Sequence, residues 1–228
     1  MDIIASARAA GLESLTEHDA KKLIKAYDVP ITPEQVVQDA DAALAAAQQI
    51  GYPVALKATG AKLLHKTEHK AIRLGIDDDD ELRQAADELL AADIPGREGL
   101  LVQKMIGEGR ELLVGMTRDP QFGPVVAFGL GGVFTEILKD VALRVAPLDK
   151  VDALEMIDQI RGRKILDEFR GMPAVDRDRL AQILINVGTL ALELPDVAEL
   201  DINPLMIGPE GPLAVDALVR LTPQATDE

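Results

Sequence analysis

From Gly99 onward the chain is a succession of short apolar runs of strand length, and this pattern restricts its fold more than any other feature. Leu100–Ile106, Glu111–Arg118, Pro124–Leu130, Val141–Ala146, Ala198–Ile207 and Leu213–Val219 read as strands. Gly123, the Gly129-Leu130-Gly131-Gly132 stretch and Gly208 to Gly211 supply turns between them. Helical spacing interrupts the series over Asp149–Arg161 and Val175–Leu194. Before Gly99, helices are expected over Ile3–Ala10, Glu17–Tyr27, Asp39–Ile50 and Glu81–Ala92, and strands over Ile31–Val37, Tyr52–Lys57 and Ala71–Ile76. Thr16 stands as an N-cap with Asp19 at the capping-box distance. The acidic run Asp77–Asp80 suits a helix N-terminus better than a calcium loop. The class is α+β. An N-terminal extension (1–15), a smaller lobe (16–98) and a larger sheet-rich lobe (99–228) follow, with a ligand cleft expected between the lobes near 100–106.

Composition removes several kinds of function. The chain of 228 residues carries 24 basic and 39 acidic residues, a net charge of -15. So acidic a surface repels phosphate backbones and anionic lipid, so nucleic acid is not the expected partner. Aromatics make up 3%, too few for base-stacking platforms, while 47% hydrophobic residues support a substantial core of Ala, Leu, Val and Ile. With no Cys and three His, thiolate catalysis, disulfides and Cys-based zinc sites are out. Neither a secretory signal nor a run of about 18 apolar residues occurs, so the expected location is the cytoplasm, without membrane contact.

The residues that could carry chemistry are few. Lys57 ends an apolar strand and points either to solvent or into a cleft as a phosphate ligand. Gln103-Lys104-Met105-Ile106 closes a strand whose backbone can serve a planar base, or is plain core. Glu111 opens the next strand and Arg118 ends it, as an anion clamp or a surface residue. Gly131-Gly132 can bring backbone amides close to phosphate. No Walker A pattern occurs. His65 lies in a loop beside Lys66, solvated or able to accept a phosphoryl group.

The strongest local signal is Glu199-Leu200-Asp201-Ile202-Asn203-Pro204-Leu205, then a Gly/Pro turn, then Leu213-Ala214-Val215-Asp216-Ala217. Alternation sends Glu199, Asp201 and Asn203 to one face. A hairpin about Gly208–Gly211 lets Asp216, mid-strand among apolar residues, face Asn203 and Asp201. Such hard oxygen ligands suit Mg²⁺; a salt bridge to a lysine is the other reading.

Taken together, GYPVALK, LLHKT, LLVQKMIGEGRELLVGMTRDPQFGPVVAFGLGG, ELDINPLMIG and AVDA resemble the ATP-grasp fold. The resemblance, from Thr16 to Leu221, is specifically to the β subunit of ADP-forming acyl-CoA synthetases (acetate–CoA ligase, ADP-forming), relatives of the succinyl-CoA synthetase β subunit. It implies two α+β lobes around a nucleotide. Lys57 would contact ATP phosphates, Gln103 to Ile106 would line the adenine pocket, and Glu111 would contact the nucleotide. Asn203 and Asp216 would hold Mg²⁺ with Asp201 nearby, and His65 would relay a phosphoryl group. The implied reaction is acyl-CoA + ADP + Pi ⇌ acid + CoA + ATP, through an acyl phosphate and a phosphohistidine. A CoA-binding α subunit would complete the enzyme, as an α2β2 assembly. The chain departs from the pattern at Glu68-His69-Lys70-Ala71, where the family has a Gly pair. That departure motivates the alternative of a non-catalytic nucleotide-sensing module. A stand-alone carboxylate–amine ligase is a further alternative.

Overall fold

The computed structural model describes residues 3–61, 63, 71–107, 109–132, 140–168, 171–208 and 210–223. The chain divides into two compact units. One joins Met1–Leu15, Asp19–Ile31 and Gly107–Glu228; the other joins Thr16–His18 with Thr32–Ile106.

The smaller unit is built on four antiparallel strands: β1 (Glu34–Val37), β2 (Val54–Thr59), β3 (Ile72–Ile76) and β4 (Gly99–Lys104). Their order is β1-β4-β2-β3. Helices α3 (Ala40–Ile50) and α4 (Asp79–Ala91) share a core with this sheet, placing Ala43, Ala47, Leu82 and Leu89 in one cluster with Leu56 and Val102. Alanines let α3 approach closely, and each fully buried leucine adds about 2 kcal/mol. Asp39 caps α3 by accepting from the Ala42 N–H, and Gly51 ends it at φ 84°, a conformation that favours glycine. The acidic run does what its charge suits: Asp78 accepts from the Glu81 N–H at the start of α4. Hydrogen bonds from Tyr52 and Gln48 hold the Asp79 carboxyl below its ordinary range.

One expectation fails here. The segment 99–106 reads by sequence as the opening of the larger lobe. Instead β4 is an interior strand of the smaller unit's sheet, hydrogen-bonded to β1 and β2. The change of texture at Gly99 marks a strand buried along its length, not a boundary.

The larger unit contains α1 (Ile3–Ala9) and most of α2 (Glu17–Ala26). Its sheet is formed by β5 (Arg110–Asp119), β6 (Gly123–Leu130), β7 (Val141–Val145), β8 (Val197–Gly208), β9 (Gly211–Ala214) and β10 (Leu218–Leu221). All pairings are antiparallel, in the order β10-β8-β5-β6-β7, with β9 also on β8. Helices α5 (Lys150–Gln159) and α6 (Arg177–Glu193) bury Met156, Ile157, Leu184 and Val187 in one core with Val114, Val126, Phe128, Leu200 and Ile202. Ala20 and Ile24 of α2 join the same core.

Alternation in β8 turns Leu200 and Ile202 inward and leaves Glu199, Asp201 and Asn203 half-buried on the opposite face. The strand expected over Leu213–Val219 is two strands, not one. β9 pairs with residues 205–208 of β8 and β10 with its 197–201 end. Between them Val215, Asp216 and Ala217 leave the ladder.

Candidate functional site

Asp216 therefore lies in a break between strands rather than mid-strand. The Val215 N–H still donates to the Pro204 carbonyl at 3.1 Å, so the next position, Asp216, comes alongside Asn203. The Asp216 carboxylate accepts from the Ala217 N–H at 2.8 Å, a bond that fits a break better than a ladder. Asp201 faces Gly115 across the β5–β8 pair, and a glycine there adds no side chain to the face.

Carboxylates cluster on this face, with Arg220 beside Glu199 at 3.7 Å. Burial first, then the charges of Glu199 and Asp216, push the Asp201 carboxyl up to about 6. Two half-buried carboxylates beside an amide oxygen form a hard-oxygen set suited to a divalent cation. Among the described residues no three His, Asp or Glu side chains gather closely enough to hold a metal by themselves. The set fits a cation that keeps open positions for other oxygen ligands.

Glu111 and the glycine turn converge on the same place. The Gly131 N–H donates to the Glu111 carbonyl at 2.8 Å, and the Gly132 N–H reaches Asn203 Oδ1 at 3.5 Å. A Cβ on Gly131 would stand 2.9 Å from the backbone of Glu111 and Leu112. One on Gly132, at φ +61°, would stand 2.2 Å from Glu111 Oε2. Glu111, Gly131, Gly132, Asn203, Asp201 and Asp216 are thus brought together within one unit.

The remaining expected residues lie elsewhere or are already engaged. Lys57 neither ends in solvent nor stands open. Its side chain is 7% exposed, and its ammonium donates to Glu17 Oε1 at 2.7 Å. Gln103 is buried and donates to the Thr32 hydroxyl. Lys104 turns back to the carbonyls of Gly51 and Tyr52 at the end of α3. The backbone N–H groups of Lys104 and Met105 are used by the Pro33 and Pro53 carbonyls, and the Met105 sulfur accepts from the Gly75 N–H. An interior strand has little backbone to spare, so these two amides are not available to a base. Ile106 follows just beyond the strand, half-buried.

Arg118 is not an anion clamp. Its guanidinium donates to the carbonyls of Val197, Leu194 and Ala191, closing the C-terminal end of α6. Free carbonyls at a helix end are the ordinary partners of such a cation. His65 lies outside the described residues.

Two residues were missed. Glu17 pairs with Lys57, and Lys21, fully buried, donates to the Val215 carbonyl at 3.1 Å. Their spacing with Ala20 and Ile24 (i, i+3, i+4, i+7) places both along the apolar stripe of α2, a signal available in the sequence.

The model of the ATP-grasp domain family matches residues 6–221 of this sequence. The chain belongs to the ATP-grasp family. It is 42% identical to the β subunit of acetate–CoA ligase (ADP-forming) I of Pyrococcus furiosus, over 96% of this chain and 97% of that protein. Among solved structures, ACD1 of Ca. Korarchaeum cryptofilum in complex with coenzyme A superposes with a TM-score of 0.92 at 38% identity, covering 97% of this chain and 99% of that one. A second is the dinucleotide-forming acetyl-coenzyme A synthetase 1 of the same organism with coenzyme A and Mg-AMPPCP. Its phosphohistidine segment points towards the nucleotide binding site, and it superposes with a TM-score of 0.87 at 38% identity over the same shares of the two chains. The α+β class and the ATP-grasp fold expected from the sequence both stand.

Proposed function

We propose that this ATP-grasp chain is the nucleotide-binding β subunit of an ADP-forming acid–CoA ligase. In this reading it binds ATP or ADP with Mg²⁺ and serves phosphoryl transfer to and from a histidine, while a CoA-binding α subunit supplies the thioester half. The observation that carries the reading is the convergence of Glu111, Gly131, Gly132, Asn203, Asp201 and Asp216 on one face of the larger sheet. Family membership gives that convergence a nucleotide to serve.

Asn203 and Asp216 hold the cation, with Asp201 next to it. When bound, the cation neutralises charge on the phosphates and orients them. The Gly131-Gly132 turn places backbone N–H groups near a phosphate oxygen without a side chain intervening. Glu111 sits over that turn and contacts the nucleotide. Lys57 serves the phosphates only if its ammonium exchanges Glu17 for a phosphate oxygen, one anionic partner for another. Ile106 and the carbonyls around it receive the base. His65 relays the phosphoryl group.

The acid and CoA pockets lie on the α partner, and the assembly is α2β2 in the cytoplasm. In support of the location, no helix among the described residues is long and apolar enough to cross a membrane. The test is reconstitution with the α subunit. Wild-type protein forms acyl-CoA from acid, ATP and CoA and takes acid-labile phosphate on His65. Full activity of Asp216→Ala in the same assembly overturns the metal assignment. Nucleotide binding with no phosphohistidine under any partner overturns the catalytic reading.

A further inference from the structure

Among the described residues Lys21 is one of the largest side chains with no exposure at all. A buried ammonium is costly unless it is held by well-placed acceptors, and a methionine or leucine would fill the same core at less cost. Its position in the fold suggests what this cost secures. Lys21 projects from α2 beneath the break between β9 and β10, where its Nζ donates to the Val215 carbonyl.

The break is otherwise fixed from three sides. The Ala214 N–H donates to the Pro30 carbonyl and the Val215 N–H to the Pro204 carbonyl. The Ala217 N–H donates to the Asp216 side chain. The Val215 carbonyl is one peptide away from Asp216, and it has left the ladder because β9 ends at Ala214. Lys21 is a partner of this carbonyl from outside the sheet, at 3.1 Å.

We propose that Lys21 is a positioning residue for the divalent cation. By holding the Val215 carbonyl it fixes the break in the one conformation that keeps Asp216 beside Asn203. The inference rests on the metal assignment above and extends it to a residue that touches neither metal nor nucleotide. Outer partners that orient metal ligands are typically worth 10–100-fold in metal affinity.

The experiment uses the full chain with Mn²⁺ as the probe. Mn²⁺ affinity is measured by electron paramagnetic resonance on ADP-saturated wild type, Lys21→Met, Lys21→Arg and Asp216→Ala. ADP affinity in EDTA and thermal stability are recorded in parallel. Lys21→Met is expected to weaken Mn²⁺ binding about tenfold while ADP affinity in EDTA changes less than twofold. Lys21→Arg keeps the charge but replaces a compact donor with a planar fork, and it is expected to fall between, at about threefold. A role confined to stability lowers the melting temperature and leaves Mn²⁺ affinity unchanged in every Lys21 variant that folds; that result overturns the proposal. If Lys21→Met does not fold, Lys21→Arg decides by the same criterion. Wild type that binds no Mn²⁺, or Asp216→Ala that binds it as wild type does, overturns the metal assignment and this inference with it.

Discussion

Arg118 apart, the residues expected to bind are held differently in the two units. On the larger sheet Glu111, Asp201, Asn203 and Asp216 stand half-buried or exposed, and Asp201 is pushed up to about 6 by burial and by its acidic neighbours. In the smaller unit Lys57, Gln103 and Lys104 are tied to Glu17, Thr32 and the end of α3. The larger unit gathers carboxylates on one face, whereas the lysines expected to bind in the smaller one are already engaged within it. Binding costs little rearrangement in the first and requires exchange of partners in the second.

The largest effect that would break this contrast lies on the metal face. Asp216→Ala removes one of the proposed ligands, and acyl-CoA synthesis with the α subunit is expected to fall by at least a hundredfold, on the order of 3 kcal/mol of lost transition-state stabilisation. A steady-state assay at saturating Mg²⁺ measures it. Next comes the smaller unit. Glu17→Gln leaves the Lys57 ammonium buried beside a neutral amide, and urea denaturation should show a loss of about 3 kcal/mol. A loss below about 1 kcal/mol would mean that the pair is looser than its 2.7 Å geometry implies.

Gly131→Ala sharpens the comparison from the backbone side. Its Cβ meets main-chain atoms of Glu111 and Leu112 at 2.9 Å, so the turn must shift. Overpacking of this kind costs about 1–3 kcal/mol, read by urea denaturation, and nucleotide affinity should fall with it. Gly107→Ala, where a Cβ meets nothing within 4 Å and φ is not positive, is the control for an added Cβ without a close approach.

The smallest effect is a dependence on pH. Because the folded-state carboxyl of Asp201 is raised above its unfolded value, ionisation destabilises the metal-free fold above about pH 6. That destabilisation fades as the pH falls through 6 towards 4, where the carboxyl is protonated in the folded state. Asp201→Asn should raise the melting temperature in EDTA by on the order of a few degrees at pH 8, and by much less at pH 4.

Much of this was legible in the sequence, for reasons that differ by region. Period-two alternation across Glu199–Asn203 predicts which side chains leave the core, and β8 obeys it. The Gly208–Gly211 turn predicts the hairpin, and β8 and β9 form it. The break at Val215–Ala217 was not legible. An apolar run with one carboxylate reads as a continuous strand, and only the β10 register with Glu199–Asp201 shows otherwise. Arg118 misleads because a strand-terminal arginine looks the same whether it meets a phosphate or the carbonyls of a distant helix end. Glu17 and Lys21 were missed because charges on an apolar stripe pass for solvated flanks until their partners, 40 and 194 residues away, are known.

The central claim is that a cation held at Asn203 and Asp216 carries the nucleotide. It is tested most directly by the ADP affinity of the full chain, by calorimetry, with Mg²⁺ and with EDTA. Mg²⁺ is predicted to strengthen ADP binding at least tenfold in wild type and to have no effect on Asp216→Ala. The same strengthening in both proteins would place the cation elsewhere and contradict the account.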